Sequence, residues 1–181
     1  MALRARCFPG KTLFLNVSPD AFVLEPDTYA AYLGQQRDVV VEIPERCCPR
    51  VGDVARRLHQ LGVPIALDDF GVGTEDLERL VTLRPEYVKI DRKLVAGLGS
   101  SERRHRLIRH LAGLIKAMGA TPIAEGVEAG EDAAALPGAG IDLAQGYHFA
   151  APVPRTLFEH EEVVSGNEAL AVIGCRTRCR R

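Results

Sequence analysis

The feature that most constrains this chain is a repeat: short apolar runs, each followed by a helical pattern, recur from Leu13 onward. The runs are Leu13–Asn16, Val39–Ile43, Ile65–Asp68, Tyr87–Asp91, Thr121–Glu125 and Leu143–Phe149. They are rich in Val, Ile and Leu without strict polar alternation, as parallel strands buried on both faces are. Between them, Val51, Val54, Leu58 and Leu61 fall on one helical face, and Gly62 sits where a C-terminal cap belongs. Thr74 is placed to cap the segment carrying Leu77, Leu80 and Val81. A longer helix is expected from Ser101 through Leu107, Ile108, Leu111, Leu114, Ile115 and Met118 to Gly119. Shorter helices are expected after Val23, Glu128 and Pro154. Strand and helix alternating in this way predict an α/β fold with a parallel sheet and right-handed crossovers.

No Gly/Ser linker interrupts the repeat, and 181 residues with 46% apolar content suffice for one domain with a substantial core. The domain is expected over residues 1–162, with 163–181 a tail that is basic at its end (Arg176, Arg178, Arg180, Arg181). A net charge of −1 gives no case for a nucleic-acid polymer as partner. No run approaches membrane-spanning length, and Met1 to Thr12 contain no apolar signal core, so a soluble, cytoplasmic protein is expected. The five cysteines (Cys7, Cys47, Cys48, Cys175, Cys179) are odd in number and scattered, which is no disulfide framework. Cys175 and Cys179 lack a second Cys or His pair, so reduced thiols are expected rather than structural zinc.

Each strand ends in a polar residue suited to a metal or a phosphate: Asn16, Glu42, Asp68 with Asp69, Asp91 with Lys89, Glu125, and Gln145. Successive separations of 26, 26, 23, 34 and 20 residues each fit one strand, one helix and their loops. Parallel strands put all their carboxyl ends on one side, so residues remote in sequence converge on one mouth. One acidic residue after a strand is commonly a helix cap; six such positions in six strands exceed what capping explains. Oxygen donors from Asn, Glu and Asp suit a hard divalent ion, Mg²⁺ or Mn²⁺. Asp68 and Asp69 would repel each other without a cation between them. With Asp91 there are carboxylates enough for two ions acting on a phosphodiester. Lys89, two residues before Asp91 on a strand, points the same way. It is placed to hold an attacking water or offset phosphoryl charge, or else to make an interior salt bridge to Asp69 or Asp91.

Six segments carry a family resemblance: Leu15-Asn16-Val17-Ser18-Pro19, Glu42-Ile43-Pro44-Glu45, Ala66-Leu67-Asp68-Asp69-Phe70-Gly71-Val72-Gly73, Val88-Lys89-Ile90-Asp91-Arg92, Ala124-Glu125-Gly126-Val127-Glu128 and Gln145-Gly146-Tyr147-His148-Phe149. In order and spacing they resemble the motifs of EAL-domain phosphodiesterases, over about Phe8 to Phe158. The resemblance implies a modified (β/α)8 barrel that hydrolyses cyclic di-GMP to the linear dinucleotide with Mg²⁺ or Mn²⁺. It implies that Asn16, Glu42 and Asp68 ligate one metal and that Asp69 and Asp91 reach a second. It sets Lys89 and Glu125 beside the nucleophilic water and Gln145 close by, with Phe70 offering an apolar face to a base. Glu45 matches a glutamate that props the loop after Asp69, a loop the family uses in dimerisation and metal binding.

Two departures qualify what the resemblance implies. The Glu-Ala-Leu segment that names the family is absent before Leu13; Glu168-Ala169-Leu170 lies in the wrong setting. At about 30 residues per unit, about 60 to 80 residues carrying strands one and two of the barrel are expected to be missing. The chain is thus expected to form about six βα units (strands three to eight), a partial barrel with an open sheet. Its edges, Leu13–Asn16 and Leu143–Phe149, are expected to be unpaired, with Leu13 and Leu15 facing water. Activity is expected to be impaired, and a homodimer or the missing segment are the expected assembly partners. The alternative is an inactive binding or scaffold module in signalling. The second departure is Thr74-Glu75-Asp76, where the family usually has an aromatic and two serines.

Overall fold

The computed structural model describes residues 12–35, 38–44, 50–73 and 75–151, together with the backbone of 174–175. The strands are β1 (Leu13–Asn16), β2 (Val39–Ile43), β3 (Ile65–Phe70), β4 (Tyr87–Ile90), β5 (Thr121–Ala124), β6 (Leu143–Ala144) and β7 (Gly174–Cys175). They are crossed by helices α1 (Pro19–Leu24), α2 (Pro26–Leu33), α3 (Val51–Gln60), α4 (Asp76–Leu83), α5 (Arg92–Val95), α6 (Glu102–Ala117) and α7 (Gly130–Ala135). All pairings are parallel, in the order β6-β5-β4-β3-β2-β1-β7. The first six strands form a curled, open half-barrel, as the repeat of βα units requires.

The two faces of the sheet divide the apolar residues by parity. Val39, Val41, Ile43, Ile65, Leu67, Val88, Ile90, Ala124 and Ala144 pack with Val54, Leu58, Leu80, Ile108 and Ile115 from the helices into one continuous core. Phe14, Val40, Ala66 and Ile123 form a second, smaller cluster on the concave face, joined by Tyr87 and Leu143. Phe14 and Tyr87 meet edge to face there at 5.3 Å. Two residues beyond each member of that cluster stands a polar residue: Asn16, Glu42, Asp68, Lys89, Glu125 and Gln145. Because strand side chains repeat every second residue, the apolar floor and the polar mouth share the concave face.

Several expectations are corrected. β1 does not have a bare outer edge, because β7 pairs with it through Phe14↔Gly174 and Leu15↔Cys175. Leu13 and Leu15 are partly buried against the helix-side core; the concave face receives Phe14 instead. α4 starts from Glu75 as its cap position, without a side-chain bond, rather than from Thr74, which lies outside the described residues. β6 stops at Ala144 because the chain then folds over Val127. There the Val127 N–H donates to the Gln145 carbonyl, and the His148 N–H donates to the Val127 carbonyl. Gly146 permits that turn with a φ of 154°; a Cβ would come within 2.2 Å of the Val127 carbonyl oxygen. The helix expected after Pro154 lies outside the described residues.

Candidate active site

The mouth of the half-barrel is built around Lys89. Its ammonium lies 2.7 Å from a carboxylate oxygen of each of Glu42, Asp68 and Glu125, contributed by β2, β3 and the end of β5. All four residues are buried, Lys89 to 3% exposure. Burial alone would push the lysine pKa down, but Glu125, Asp68 and Glu42 together outweigh it and hold it above its ordinary value. Lys89 is therefore a permanent cation at the centre of the mouth. Burial acts the other way on Glu125, raising its carboxyl to about 7; Lys89 opposes the rise and Asp68 and Asp69 add to it. A carboxylate near 7 is suited to taking a proton from water at neutral pH.

Asp68 and Asp69 are consecutive and would point to opposite faces of a regular strand. The register between β3 and β4 shifts between Leu67 and Phe70, and Asp69 adopts a left-handed backbone with φ 55°. This bulge turns both carboxylates to the same place, a device that Asp tolerates better than most residues. As a result, carboxylate oxygens of Asp68, Asp69 and Glu125 lie within 4.8 Å of one another. All donors in the cluster are oxygens, and among the described residues the buried Gln145 Oε1 has no hydrogen-bond partner. This donor chemistry fits a hard divalent cation.

The remaining expected residues fall as follows. Asn16, exposed at the end of β1, donates from Nδ2 to Glu42 Oε2 at 2.5 Å. Gln145 donates from Nε2 to Glu125 Oε1, which orients that carboxylate. Asp91 follows β4 at the same end of the sheet, but its carboxylate caps α5 by accepting from the Lys93 N–H at 2.8 Å. Phe70 was expected to offer its ring to a base; it is 2% exposed and packed in the helix-side core, because the bulge leaves it on that face. Glu45 lies outside the described residues. Reading the sequence missed two buried aspartates, Asp76 and Asp132, each near the start of a helix. Asp76 accepts from the N–H groups of Gly71 and Gly73, and Asp132 from those of Gly97 and Gly99. The available signal was an Asp a few residues after a Gly-x-Gly loop or opposite one, a pattern too common to single out.

Comparison with known proteins gives concordant results. The model of the EAL domain family matches residues 2–152. The chain is 35% identical over 159 residues to PdeD of Escherichia coli, a probable cyclic di-GMP phosphodiesterase, covering 81% of this chain and 30% of that protein. The chain therefore spans about a third of the length of that relative. Among solved structures, BlrP1 of Klebsiella pneumoniae in a manganese and cyclic di-GMP complex is 28% identical, with a TM-score of 0.73 over 81% of this chain and 41% of that one. The EAL domain of DcpA from Mycobacterium smegmatis is 32% identical, with a TM-score of 0.73 over 82% of this chain and 71% of that one.

Proposed function

The chain belongs to the EAL domain family, and on that premise we propose that its mouth hydrolyses cyclic di-GMP to the linear dinucleotide with Mg²⁺ or Mn²⁺. The observation that carries this reading is the convergence of Glu42, Asp68, Asp69 and Glu125 on one concave site around the Lys89 ammonium. Asn16, Glu42, Asp68 and Asp69 would hold the divalent ions, with Asp91 recruited if it leaves its cap on α5. Bound there, the ions supply Lewis-acid activation of water and charge stabilisation on the phosphoryl oxygens.

The chain's own residues account for the rest. Glu125, oriented by Gln145, takes a proton from the attacking water as its oxygen adds to phosphorus in line with the departing 3′ oxygen. That P–O bond breaks, and the departing oxygen takes up a proton. Lys89 keeps three carboxylates at fixed spacing and offsets charge that spreads over the phosphoryl oxygens. The apolar floor of Phe14, Val40, Ala66 and Ile123 closes the site from below against water.

The described half-barrel walls this mouth on one side only, so the isolated chain should turn over more slowly than a relative with a closed barrel. Chromatography of cyclic di-GMP incubated with Mn²⁺ tests the proposal. Linear dinucleotide should appear slowly, vanish with a chelator, and vanish in Asp68→Asn and Glu125→Gln. Binding of cyclic di-GMP without turnover, in a chain that takes up Mn²⁺, would favour a binding module instead.

A further inference from the structure

The bulge that brings Asp69 beside Asp68 requires something to hold it, and the hydrogen bonds around α4 identify what does. Asp76, 5% exposed, directs one carboxylate oxygen, Oδ2, at the N–H groups of Gly71 (2.6 Å) and Gly73 (3.1 Å). These are the alternate amides of the loop that starts two residues after Asp69. Gly71 has a φ of 105°, and a Cβ there would meet Leu94 of α5 at 2.1 Å, so the loop is pressed between α5 and the start of α4. The carbonyl of Phe70 is fixed in turn by the Asp91 N–H at 3.0 Å.

One turn along α4, Arg79 is also buried, at 7% exposure, and donates from Nη2 to the Pro44 carbonyl at 2.6 Å. Pro44 follows β2, two residues after Glu42. The Arg79 Nη1 lies 3.9 Å from Asp76 Oδ1, an ion pair without a hydrogen bond. Burying an arginine and an aspartate together is costly unless their geometry is used. Here the pair ties the loop after β3 to the end of β2, the two strands that supply Asp68, Asp69 and Glu42.

We infer that Asp76, tethered through Arg79 to the end of β2, is a positioning residue that holds the β3 bulge and keeps the Asp69 carboxylate beside those of Asp68 and Glu125. Asp76 is at one of the positions where the family usually has serine. In this chain a charged group accepts both loop amides with a single oxygen, which a neutral hydroxyl does more weakly. The inference rests on the proposed function for the meaning of Asp69, but not for the clamp itself.

Asp132 supplies an internal control, since it also accepts from two loop amides, Gly97 at 3.0 Å with Oδ2 and Gly99 at 2.8 Å with Oδ1, on the loop between α5 and α6. The test compares Asp76→Ala, Asp76→Asn and Asp132→Ala in the full chain, reading the Asp69 carboxyl ¹³C shift without metal and the affinity for Mn²⁺ by electron paramagnetic resonance. Asp76→Ala should move the Asp69 signal and weaken Mn²⁺ binding about tenfold or more. Asp76→Asn keeps an oxygen for both glycines but loses the charge that pairs with Arg79, so it should fall between wild type and Asp76→Ala in both readouts; wild-type values would overturn the tether through Arg79. Asp132→Ala should leave both readouts near wild type while lowering the melting temperature. An unshifted Asp69 signal and unchanged Mn²⁺ affinity in folded Asp76→Ala would overturn the inference, as would the same losses in Asp132→Ala. If Asp76→Ala does not fold, Arg79→Met cuts the tether and should move both readouts in the same direction; no movement there also overturns it. Absence of Mn²⁺ binding by wild type would count against the proposed function, while the metal-free Asp69 signal would still decide the clamp.

Discussion

Replacing Lys89 with methionine removes the buried ammonium at the centre of the mouth while keeping much of its volume. Each of the three carboxylate contacts is 2.7 Å long. At an effective dielectric of about 20, each is worth about 6 kcal/mol of gross attraction, most of it cancelled by the desolvation of buried charge. Stripping one partner from such a network leaves Glu42, Asp68 and Glu125 mutually repelling, at a net cost of about 3–5 kcal/mol. For a domain of this size that lowers the melting temperature by about 10–15 °C. The assay is calorimetry at about pH 8, above the value of about 7 for Glu125, with chelator and then with Mn²⁺. Lys89→Met should melt far below wild type in chelator and recover more than wild type does on adding Mn²⁺, since the ion replaces the missing charge. A variant melting within about 2 °C of wild type in chelator would refute the placement of the ammonium among three carboxyl groups.

Other consequences can be measured on the same material. Burial lifts Glu125 from 4.5 to about 7, so its contribution to stability is fully present below pH 4.5 and lost as pH rises through 7. In metal-free buffer the stability of Glu125→Gln relative to wild type should therefore grow by about 3 kcal/mol across that window; a flat difference by chemical denaturation would contradict the assignment. Gly146→Ala should cost about 3 kcal/mol or more, because its Cβ would press on the Val127 backbone rather than on a yielding side chain. Wild-type melting in that variant would mean the turn after β6 is placed wrongly. Removing residues 163–181 deletes β7 and bares the edge of β1, so sedimentation should show increased self-association; an unchanged monomer fraction would mean β7 does not protect that edge.

The fold was legible in the sequence where burial on both faces leaves a continuous apolar run. Val39–Ile43, buried at every position, is read to the residue for that reason. That Glu42, Asp68, Lys89 and Glu125 meet was legible because parallel strands and a period of two put them on one face. What could not be read are features that depend on backbone geometry or on pairing at a distance. The left-handed turn at Asp69 decides that Asp68 and Asp69 cooperate and that Phe70 is buried, yet a run of Leu-Asp-Asp-Phe looks like plain strand. Asp76 and Asp132 read as ordinary acidic residues in a first turn, where they suit the helix dipole, and only their burial against loop amides distinguishes them. The two residues of β7 have no strand signal of their own; they form a strand by pairing with β1.

The most direct test of the central claim is to incubate the chain with cyclic di-GMP and Mn²⁺ in ¹⁸O-labelled water and weigh the product. In-line attack of water at phosphorus predicts linear dinucleotide carrying one ¹⁸O on its terminal phosphate, formed slowly by wild type and not by Glu125→Gln. Cyclic di-GMP recovered intact from a folded chain that binds Mn²⁺ would contradict the claim that this mouth is a hydrolytic site.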